Sequence, residues 1–163
     1  MPAVWKMDFR NGGAPACRSR SGVPETLVVL SVSRNSSGEL KRATDMIEGG
    51  CFCKKVRYAI DDGAYPAVNC HCTMCRHIHA APYVTWLVVP VERFRYLTAV
   101  PIQLDSSAKG TRYFCSACGT HVACVNASHP EIVDVALGSL DAPEAFSPNS
   151  DFFADTRLPW VQP

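Results

Sequence analysis

The sequence predicts a mainly β fold whose strands pair mostly in antiparallel fashion. From about Gly49 onward, short segments rich in β-branched and aromatic residues recur along the chain. Turn signals such as Asp61-Asp62-Gly63 and Lys109-Gly110 separate these segments. A chain of 163 residues, with 47% hydrophobic and 19% charged residues, is long enough to form one domain with a buried core.

Five strands and one helix account for most of the patterned region. The strands are predicted at residues 55–60, 83–89, 112–114, 121–125 and 131–137. The first of them begins with alternating polar and apolar residues, as a half-buried strand does. The one helix of substance is predicted at residues 73–80, with Thr73 as its N-cap and Pro82 ending it.

Residues 1–45 are predicted to form a basic, poorly ordered N-terminal extension, and residues 46–163 the folded domain. Residues 1–42 carry seven basic and three acidic side chains, a net charge of +4, and are rich in Gly, Pro, Ser and Arg. Such a segment buries too little apolar surface to become ordered. The whole chain has a net charge of only +1, which argues against a nucleic-acid partner. Its apolar runs are far shorter than the ~20 residues of a membrane span, so no membrane partner is expected.

The cysteines are the unusual feature of the composition. Their number is nine, and an odd number excludes a fully paired disulfide framework. Cys51 and Cys53, like Cys70 and Cys72, are separated by one residue, a spacing that rarely permits a disulfide. No secretory leader with an apolar core opens the chain. We therefore expect reduced thiols in the cytoplasm, available to bind metal.

Seven of the cysteines form three clusters with the spacing of zinc ligands. They are Cys51 and Cys53; Cys70, Cys72 and Cys75; and Cys115 and Cys118, followed by Gly119. A structural zinc takes four protein ligands, whereas a catalytic zinc takes three and keeps one position open. The preferred partition joins the first and third clusters in a closed site, because the middle cluster is a compact triad. The spacing equally allows Cys70 and Cys72 to join the third cluster.

The middle cluster also has a structural interpretation, in which a histidine completes a second closed site. His71 lies between two ligands and should point away from the metal if the chain is extended. His79 lies one helical turn beyond Cys75 and could reach the site. Spacing alone leaves the catalytic and the structural interpretation open.

Several motifs in a fixed order identify a family. They are residues 49–58 (GGCFCKKVRY), 70–76 (CHCTMCR), 81–83 (APY), Trp86, 114–120 (FCSACGT) and 138–143 (GSLDAP). The set resembles the glutathione-dependent formaldehyde-activating enzyme family. The resemblance covers about residues 47–161 and ends with Arg157 and Trp160.

The resemblance implies an Mss4-like antiparallel β fold stapled by zinc, with one short helix after the Cys-His-Cys-x-x-Cys motif. It implies two Zn²⁺ ions per chain, one structural and one labile and catalytic. The structural zinc would be held by Cys51, Cys53, Cys115 and Cys118, and the catalytic zinc by Cys70, Cys72 and Cys75. The family's reaction joins formaldehyde to the thiol of glutathione, giving S-hydroxymethylglutathione. Glutathione or its adduct is therefore the expected small-molecule partner and co-substrate.

The chain departs from the family pattern at several positions. Lys54 replaces the usual Gly after the second cysteine, Ala80 replaces the Gly before Ala-Pro, and His79 replaces a small hydroxyl residue. Residues 151–153 lack the histidine often found there. Because His79 and Ala80 border the triad, these departures bear mainly on the substrate.

Three more residues are candidates for chemistry at an open zinc site. His79 is the candidate proton donor, because it lies near the triad and a histidine titrates near neutral pH. Arg76 could bind a carboxylate of glutathione, and Trp86 could form a wall of the pocket. The alternative roles are a surface histidine, a structural ion pair and a core tryptophan.

The sequence thus predicts a zinc-dependent carbon–sulfur lyase of the S-(hydroxymethyl)glutathione synthase type. Its second substrate would be a carbonyl compound, either formaldehyde or a larger electrophilic metabolite. Two alternatives stay open: a glutathione-independent zinc enzyme acting on a carbonyl or imine, and a non-enzymatic zinc-stapled binding module. A homo-oligomer is compatible with each of these.

Overall fold

The structure, a computed structural model, describes residues 46–162. The prediction of a poorly ordered extension at residues 1–45 lies outside the described residues. Ten strands and one α-helix form the described part, so the predicted mainly β class is confirmed. The strands are β1 (Met46–Gly50), β2 (Arg57–Asp61), β3 (Ala67–Cys70), β4 (Val84–Pro90), β5 (Phe94–Tyr96), β6 (Ile102–Asp105), β7 (Gly110–Phe114), β8 (His121–Asn126), β9 (His129–Ala136) and β10 (Ser150–Phe152); the helix is α1 (Thr73–His79).

The strands form two sheets. The smaller has the order β1-β2-β5, and the larger has the order β10-β3-β4-β9-β8-β7-β6. All neighbouring strands are antiparallel except β10, which pairs with β3 in parallel. The C-terminal segment therefore returns to lie beside the strand that ends at Cys70.

A hydrophobic core joins the two sheets, and the larger sheet has a second, chemically different face. The main core contains side chains from both sheets: Tyr58, Ile60, Phe94, Leu87, Val89, Tyr113, Val133 and Val135. Because successive side chains point to opposite faces of a sheet, the neighbours of these residues lie on the outer face. A second apolar cluster there contains Val68, Trp86 and Ala136, together with Cys70, Cys75 and Cys124.

The five predicted strands correspond to β2, β4, β7, β8 and β9, with ends shifted by at most two residues. Five strands of three to five residues were not predicted: β1, β3, β5, β6 and β10. A strand this short has too few residues to show a period of two, and its pairing partners define it. β5, for example, is fixed by its antiparallel pairing with β2.

The helix differs from the prediction at both ends. It begins at Thr73, and its N-cap is Cys72, whose sulfur accepts a hydrogen bond from the backbone N–H of Cys75 at 3.3 Å. The prediction of Thr73 as N-cap was wrong, because Cys72 has the extended conformation and the acceptor that the cap position requires. The helix ends at His79, and its C-cap Ala80 has a left-handed conformation before Pro82 is reached. No helix within residues 46–162 has the length and apolarity to cross a bilayer.

Two of the departures from the family pattern occupy left-handed backbone positions. Lys54 has a φ of 63° and Ala80 a φ of 48°, a region in which glycine is free of the Cβ clash. The glycines usual at these positions therefore have a conformational explanation.

Lys54→Gly and Ala80→Gly should each stabilise the domain by about 0.5–1 kcal/mol, because relief of the Cβ clash exceeds the extra entropy of glycine in the unfolded chain. Urea unfolding of the zinc-loaded protein measures the gain. Lys55→Gly is the matched control, since Lys55 is not among the positive-φ residues, and it should destabilise the domain. A loss of stability in the first two variants would contradict this explanation.

Candidate metal centres and the cavity beside them

Four cysteines from two distant loops meet where the two sheets adjoin. Cys51 and Cys53 follow β1, and Cys115 and Cys118 follow β7. Their four sulfur atoms all lie within 4.8 Å of one another. The Cys51–Cys53 and Cys53–Cys115 sulfur distances are 3.5 and 3.6 Å. A metal ion held here would tie the first strand of the smaller sheet to the turn between β7 and β8.

The turn at Cys115 and Cys118 has the backbone that such a site needs. Gly119 has a φ of +73° and donates its N–H to the carbonyl of Cys115 at 2.9 Å. The Cys118 sulfur lies 3.2 Å from the hydroxyl oxygen of Thr120. Burial opposes ionisation of Cys118, but hydrogen bonds from Thr120 outweigh it and lower the pKa of this thiol to about 6. This turn therefore favours a thiolate.

Three cysteines meet at the junction of β3 and α1. Cys70 ends β3, Cys72 caps the helix, and Cys75 lies in its first turn. Their sulfur atoms also lie within 4.8 Å of one another, and no His, Cys, Asp or Glu of residues 46–162 adds a fourth ligand atom to this group. The structure thus groups the sulfurs as four and three, in the preferred partition, and leaves the alternative exchange unsupported.

A buried arginine lies beside the three-cysteine cluster. Arg112 on β7 is 4% exposed, and its Nη2 lies 3.6 Å from the Cys75 sulfur. The hydrogen bond from Cys70, followed by that from Arg112, lowers the pKa of Cys75 to about 5. The Nη1 of Arg112 is buried and has no hydrogen-bond partner among the described residues. The cluster therefore has a cationic neighbour with one donor group free.

His71 points away from the cluster, as predicted, and anchors its loop to the C-terminal segment. Its Nε2 lies 2.9 Å from Asp151 Oδ1, and the other oxygen of Asp151 accepts from Arg157 at 2.6 Å. The backbone N–H of His71 donates to the carbonyl of Phe152 at 3.0 Å. The C-terminal segment therefore fixes the backbone between Cys70 and Cys72.

A cavity of about 570 Å³ opens beside the three-cysteine cluster on the outer face of the larger sheet. All three cysteines of the cluster line it. Its apolar lining comes from Pro66, Val68, Met74, Trp86, Val88, Ile132, Phe152 and Phe153, and its polar lining includes Lys109, Arg112, Asn126, His129 and Asp134. A cavity of this volume falls in the range of small-molecule sites.

Comparison with known proteins decides the family. The model of the glutathione-dependent formaldehyde-activating enzyme family matches residues 46–156. The chain belongs to this family.

A solved structure agrees with the fold. The crystal structure of a Rhodobacter sphaeroides protein from a structural-genomics programme superposes with a TM-score of 0.53. The two chains are 19% identical, and the match covers 64% of this chain and 98% of the other. At this identity the likeness bears on the fold alone. A search among curated proteins found no match.

Two charged residues that line the cavity, Arg112 and Asp134, were not predicted from the sequence. Strand pairing sets Arg112 opposite Cys124, Cys124 opposite Asp134, and Asp134 opposite Val88. One row across the outer face therefore carries a cation, a thiol, a carboxylate and an apolar side chain. Arg112 and Asp134 interrupt the apolar residues of β7 and β9. This interruption is a feature of the sequence that could have identified them. Cys124 is buried and also lines the cavity.

Of the three candidate residues, only Trp86 lines this cavity. His79 packs its ring against Trp86 and His121, at centroid distances of 5.3 and 4.2 Å, and its Nδ1 lies 3.0 Å from the carbonyl of Cys75. Burial lowers its pKa, so the ring is neutral near pH 7. Arg76 donates from Nε to the carbonyl of His71 at 3.1 Å. His79 and Arg76 thus hold the backbone of the cluster.

The carboxyl group of Asp134 has an unusually high pKa for an aspartate. Burial raises its pKa from about 3.8 to about 6, and the Cys75 thiolate adds to this, whereas Arg112 and His129 oppose it. Because the folded-state pKa is raised, the stability associated with protonated Asp134 is present below about pH 3.8 and is lost as the pH rises through about 6.

Asp134→Asn should therefore stabilise the domain above about pH 7 and leave its stability almost unchanged near pH 3.5. The shift of about two units corresponds to ~3 kcal/mol, which partial exposure of the side chain reduces to about 1–2 kcal/mol. Urea unfolding of the variant and the natural protein across this range measures the difference. Glu131→Gln, at an exposed position on the same strand, is the control and should show no such pH dependence. An equal effect at both pH values would contradict the assignment.

Proposed function

We propose that this protein is a zinc-dependent carbon–sulfur lyase that forms or breaks the bond between the sulfur of glutathione and a carbonyl carbon. One observation carries the proposal. The three thiols Cys70, Cys72 and Cys75 form a compact ligand set that lacks a fourth protein ligand among residues 46–162 and opens onto a cavity. Three protein ligands and one open position are the arrangement of a catalytic zinc.

The residues of both clusters fit zinc. At a Zn–S distance of about 2.3 Å, the sulfurs of a tetrahedral site are about 3.8 Å apart. The separations of 3.5 and 3.6 Å in the four-cysteine cluster approach this value, and the three sulfurs of the other cluster lie within 4.8 Å of one another. All eight cysteines of residues 46–162 are unpaired thiols. We assign a structural zinc to Cys51, Cys53, Cys115 and Cys118 and a second zinc to Cys70, Cys72 and Cys75. Unpaired thiols require a reducing compartment, so we place the protein in the cytoplasm.

The co-substrate follows from the chemistry of the ligand set and from the family. A zinc ion bound to three thiolates would lower the pKa of a further thiol, so that glutathione could react as a thiolate near neutral pH. The family is defined by glutathione-dependent chemistry. A cavity open on the cluster distinguishes this proposal from a zinc-stapled binding module, in which the second metal would serve only the fold.

Arg112 is the group we propose for the oxygen of the carbonyl. Attack of a thiolate on the carbonyl carbon places negative charge on this oxygen. The guanidinium of Arg112 is a buried cation held beside Cys75, and Arg112 lines the cavity. A fixed cationic donor in a site with little water stabilises such a developing charge strongly.

Two residues could supply the proton that converts this oxygen to a hydroxyl. Asp134 lines the cavity, and its pKa of about 6 leaves part of it protonated near neutral pH. His79 has a buried Nε2 without a partner among the described residues, but its ring does not line this cavity. We propose Asp134 as the proton donor and His79 as a residue that positions Cys75. For glutathione itself, Trp86 would form a wall, and Arg76 would offer only its terminal nitrogens to a carboxylate.

Arg112→Lys should lower kcat/KM for adduct formation from glutathione and an aldehyde by about 10²-fold, because lysine cannot contact Cys75 and the oxygen at the same time. Exchange NMR of the aldehyde and its adduct measures the rate above the uncatalysed reaction. Arg93→Lys, at an exposed position outside the cavity, is the control and should keep the full rate. An unchanged rate in a folded Arg112→Lys protein would exclude this role, and no catalysis by the natural protein would exclude the proposed function.

A further inference from the structure

The cavity is much larger than the family's named electrophile. Formaldehyde has two non-hydrogen atoms and fills roughly the space of two water molecules, about 60 Å³. The cavity measures about 570 Å³. Formaldehyde therefore fills only a small part of the cavity.

The lining of the cavity is divided into a polar and an apolar part. One side is lined by Lys109 in the turn before β7, Arg112 on β7 and Asn126 on β8. Glutathione, with two carboxylates, an amine and two amides, is complementary to that side. Val68 on β3 and Trp86 and Val88 on β4 line the other side. Glutathione has no bulky apolar group to cover it.

Two phenylalanines extend the apolar side toward solvent. Phe152 is 51% exposed and Phe153 is 59% exposed, and both line the cavity. Phe153 has a φ of 55°, an unfavourable conformation for a bulky side chain. Neither ring belongs to the hydrophobic core clusters. Backbone strain of this kind is found preferentially where a side chain is held for a ligand.

We infer that the electrophile of this site is an aldehyde with a bulky apolar substituent, aromatic or branched aliphatic. This inference rests on the proposed function. The aldehyde carbon lies at the cysteine cluster, and its substituent packs against Val88, Trp86 and the two phenylalanine rings.

The reaction balances without any further reactant. The glutathione sulfur loses its proton and forms a bond to the carbonyl carbon, while the π electron pair moves to the oxygen. The oxygen then takes up one proton, and the product is a hemithioacetal. The reverse reaction breaks the same carbon–sulfur bond, and no atom is oxidised or reduced.

The first experiment compares aldehydes with the zinc-loaded full chain. Adduct formation with glutathione is followed by exchange NMR for formaldehyde, acetaldehyde, 3-methylbutanal and phenylacetaldehyde, each relative to its uncatalysed rate. We expect kcat/KM for phenylacetaldehyde to exceed that for formaldehyde by at least about tenfold, the factor that roughly 1.4 kcal/mol of apolar contact gives. S-benzylglutathione should likewise bind at least about tenfold more tightly than S-methylglutathione in calorimetry.

Two variants test the apolar wall. Val88→Asn should lower the ratio of the phenylacetaldehyde to the formaldehyde rate by about tenfold, a factor equivalent to 1.4 kcal/mol. Phe153→Gly should lower the same ratio and at the same time raise the urea midpoint, because glycine relieves the left-handed strain. Leu104→Asn, at an exposed site on β6, is the control and should leave the ratio unchanged.

The outcomes separate this inference from the proposed function. If the protein catalyses the reaction of formaldehyde and kcat/KM for the larger aldehydes does not exceed that for formaldehyde, the inference is overturned and the proposed function is left intact. Absence of catalysis with every aldehyde would overturn both. A Phe153→Gly protein that is more stable yet keeps its aldehyde ratio would show that the ring does not serve the substrate.

Discussion

Cys118→Ser should abolish the cooperative unfolding transition of the domain. Metal binding at a structural four-thiolate site contributes apparent free energies of about 10–16 kcal/mol, as much as the whole stability of a typical domain. The Cys118 side chain is partly exposed, so the loss of packing is small and the effect reports on the metal. The far-UV circular dichroism, the urea transition and the zinc content of the purified variant give the result. We expect no cooperative transition and little retained zinc.

Cys124→Ala provides the matched control for that result. Cys124 is a buried cysteine on β8 of the larger sheet, and its sulfur belongs to neither ligand cluster. Loss of one buried sulfur should cost about 1 kcal/mol and leave the zinc content unchanged. A Cys118→Ser protein that unfolds cooperatively near the midpoint of the natural protein would contradict a structural metal at this site.

Cys72→Ser should abolish catalysis while the domain stays folded. Serine at this position is itself a favourable N-cap, so it keeps the hydrogen bond to the Cys75 N–H and the start of α1. Only the sulfur ligand is removed. Activity with glutathione and the preferred aldehyde should fall by at least about 10³-fold, the scale on which catalytic groups act. The zinc content should fall from two ions to one.

Thr73→Ala is the control that distinguishes loss of a zinc ligand from a disturbed N-terminus of α1. Thr73 is the exposed residue next to Cys72, and its replacement should change neither the zinc content nor the rate. If Cys72→Ser instead lost both zinc ions or failed to fold, the middle cluster would have a structural role. Full activity with one zinc would place the chemistry elsewhere.

The ligand clusters could be predicted from the sequence because their ligands are close along the chain. Cysteine spacing within each cluster, and the glycine after Cys118, are local features that can be recognised without knowledge of the fold. The direction of His71 also followed from a local rule, since alternate side chains of an extended segment point apart. Which pair joins Cys115 and Cys118, by contrast, needed the resemblance or the structure, because spacing allowed an exchange of pairs.

The wall of the cavity could not be predicted in the same way. Arg112, Cys124 and Asp134 are each ten or more residues apart and become neighbours only through the register of β7, β8 and β9. The β10 strand, which brings Phe152 to the cavity, is three residues long and has no periodicity of its own. His79 contacts the carbonyl of Cys75, but helix geometry alone could not show that its ring packs against Trp86 and His121.

The departures at Lys54 and Ala80 show what conformation adds to a sequence comparison. The sequence interpretation linked Ala80, which borders the triad, to the substrate. The structure shows that Lys54 and Ala80 both have a positive φ. A glycine replaced at such a position bears first on stability. The apolar lining of the cavity and the strained Phe153 are therefore the features that bear on the substrate.

A zinc determination combined with a glutathione titration tests the central claim, an open catalytic zinc on Cys70, Cys72 and Cys75. We expect two zinc ions per chain, of which a chelator removes one rapidly, and glutathione at saturating concentration slows that removal. The same titration on Cys72→Ser should show only the tightly held ion. One tightly held zinc in the natural protein, with no response to glutathione, would contradict the claim.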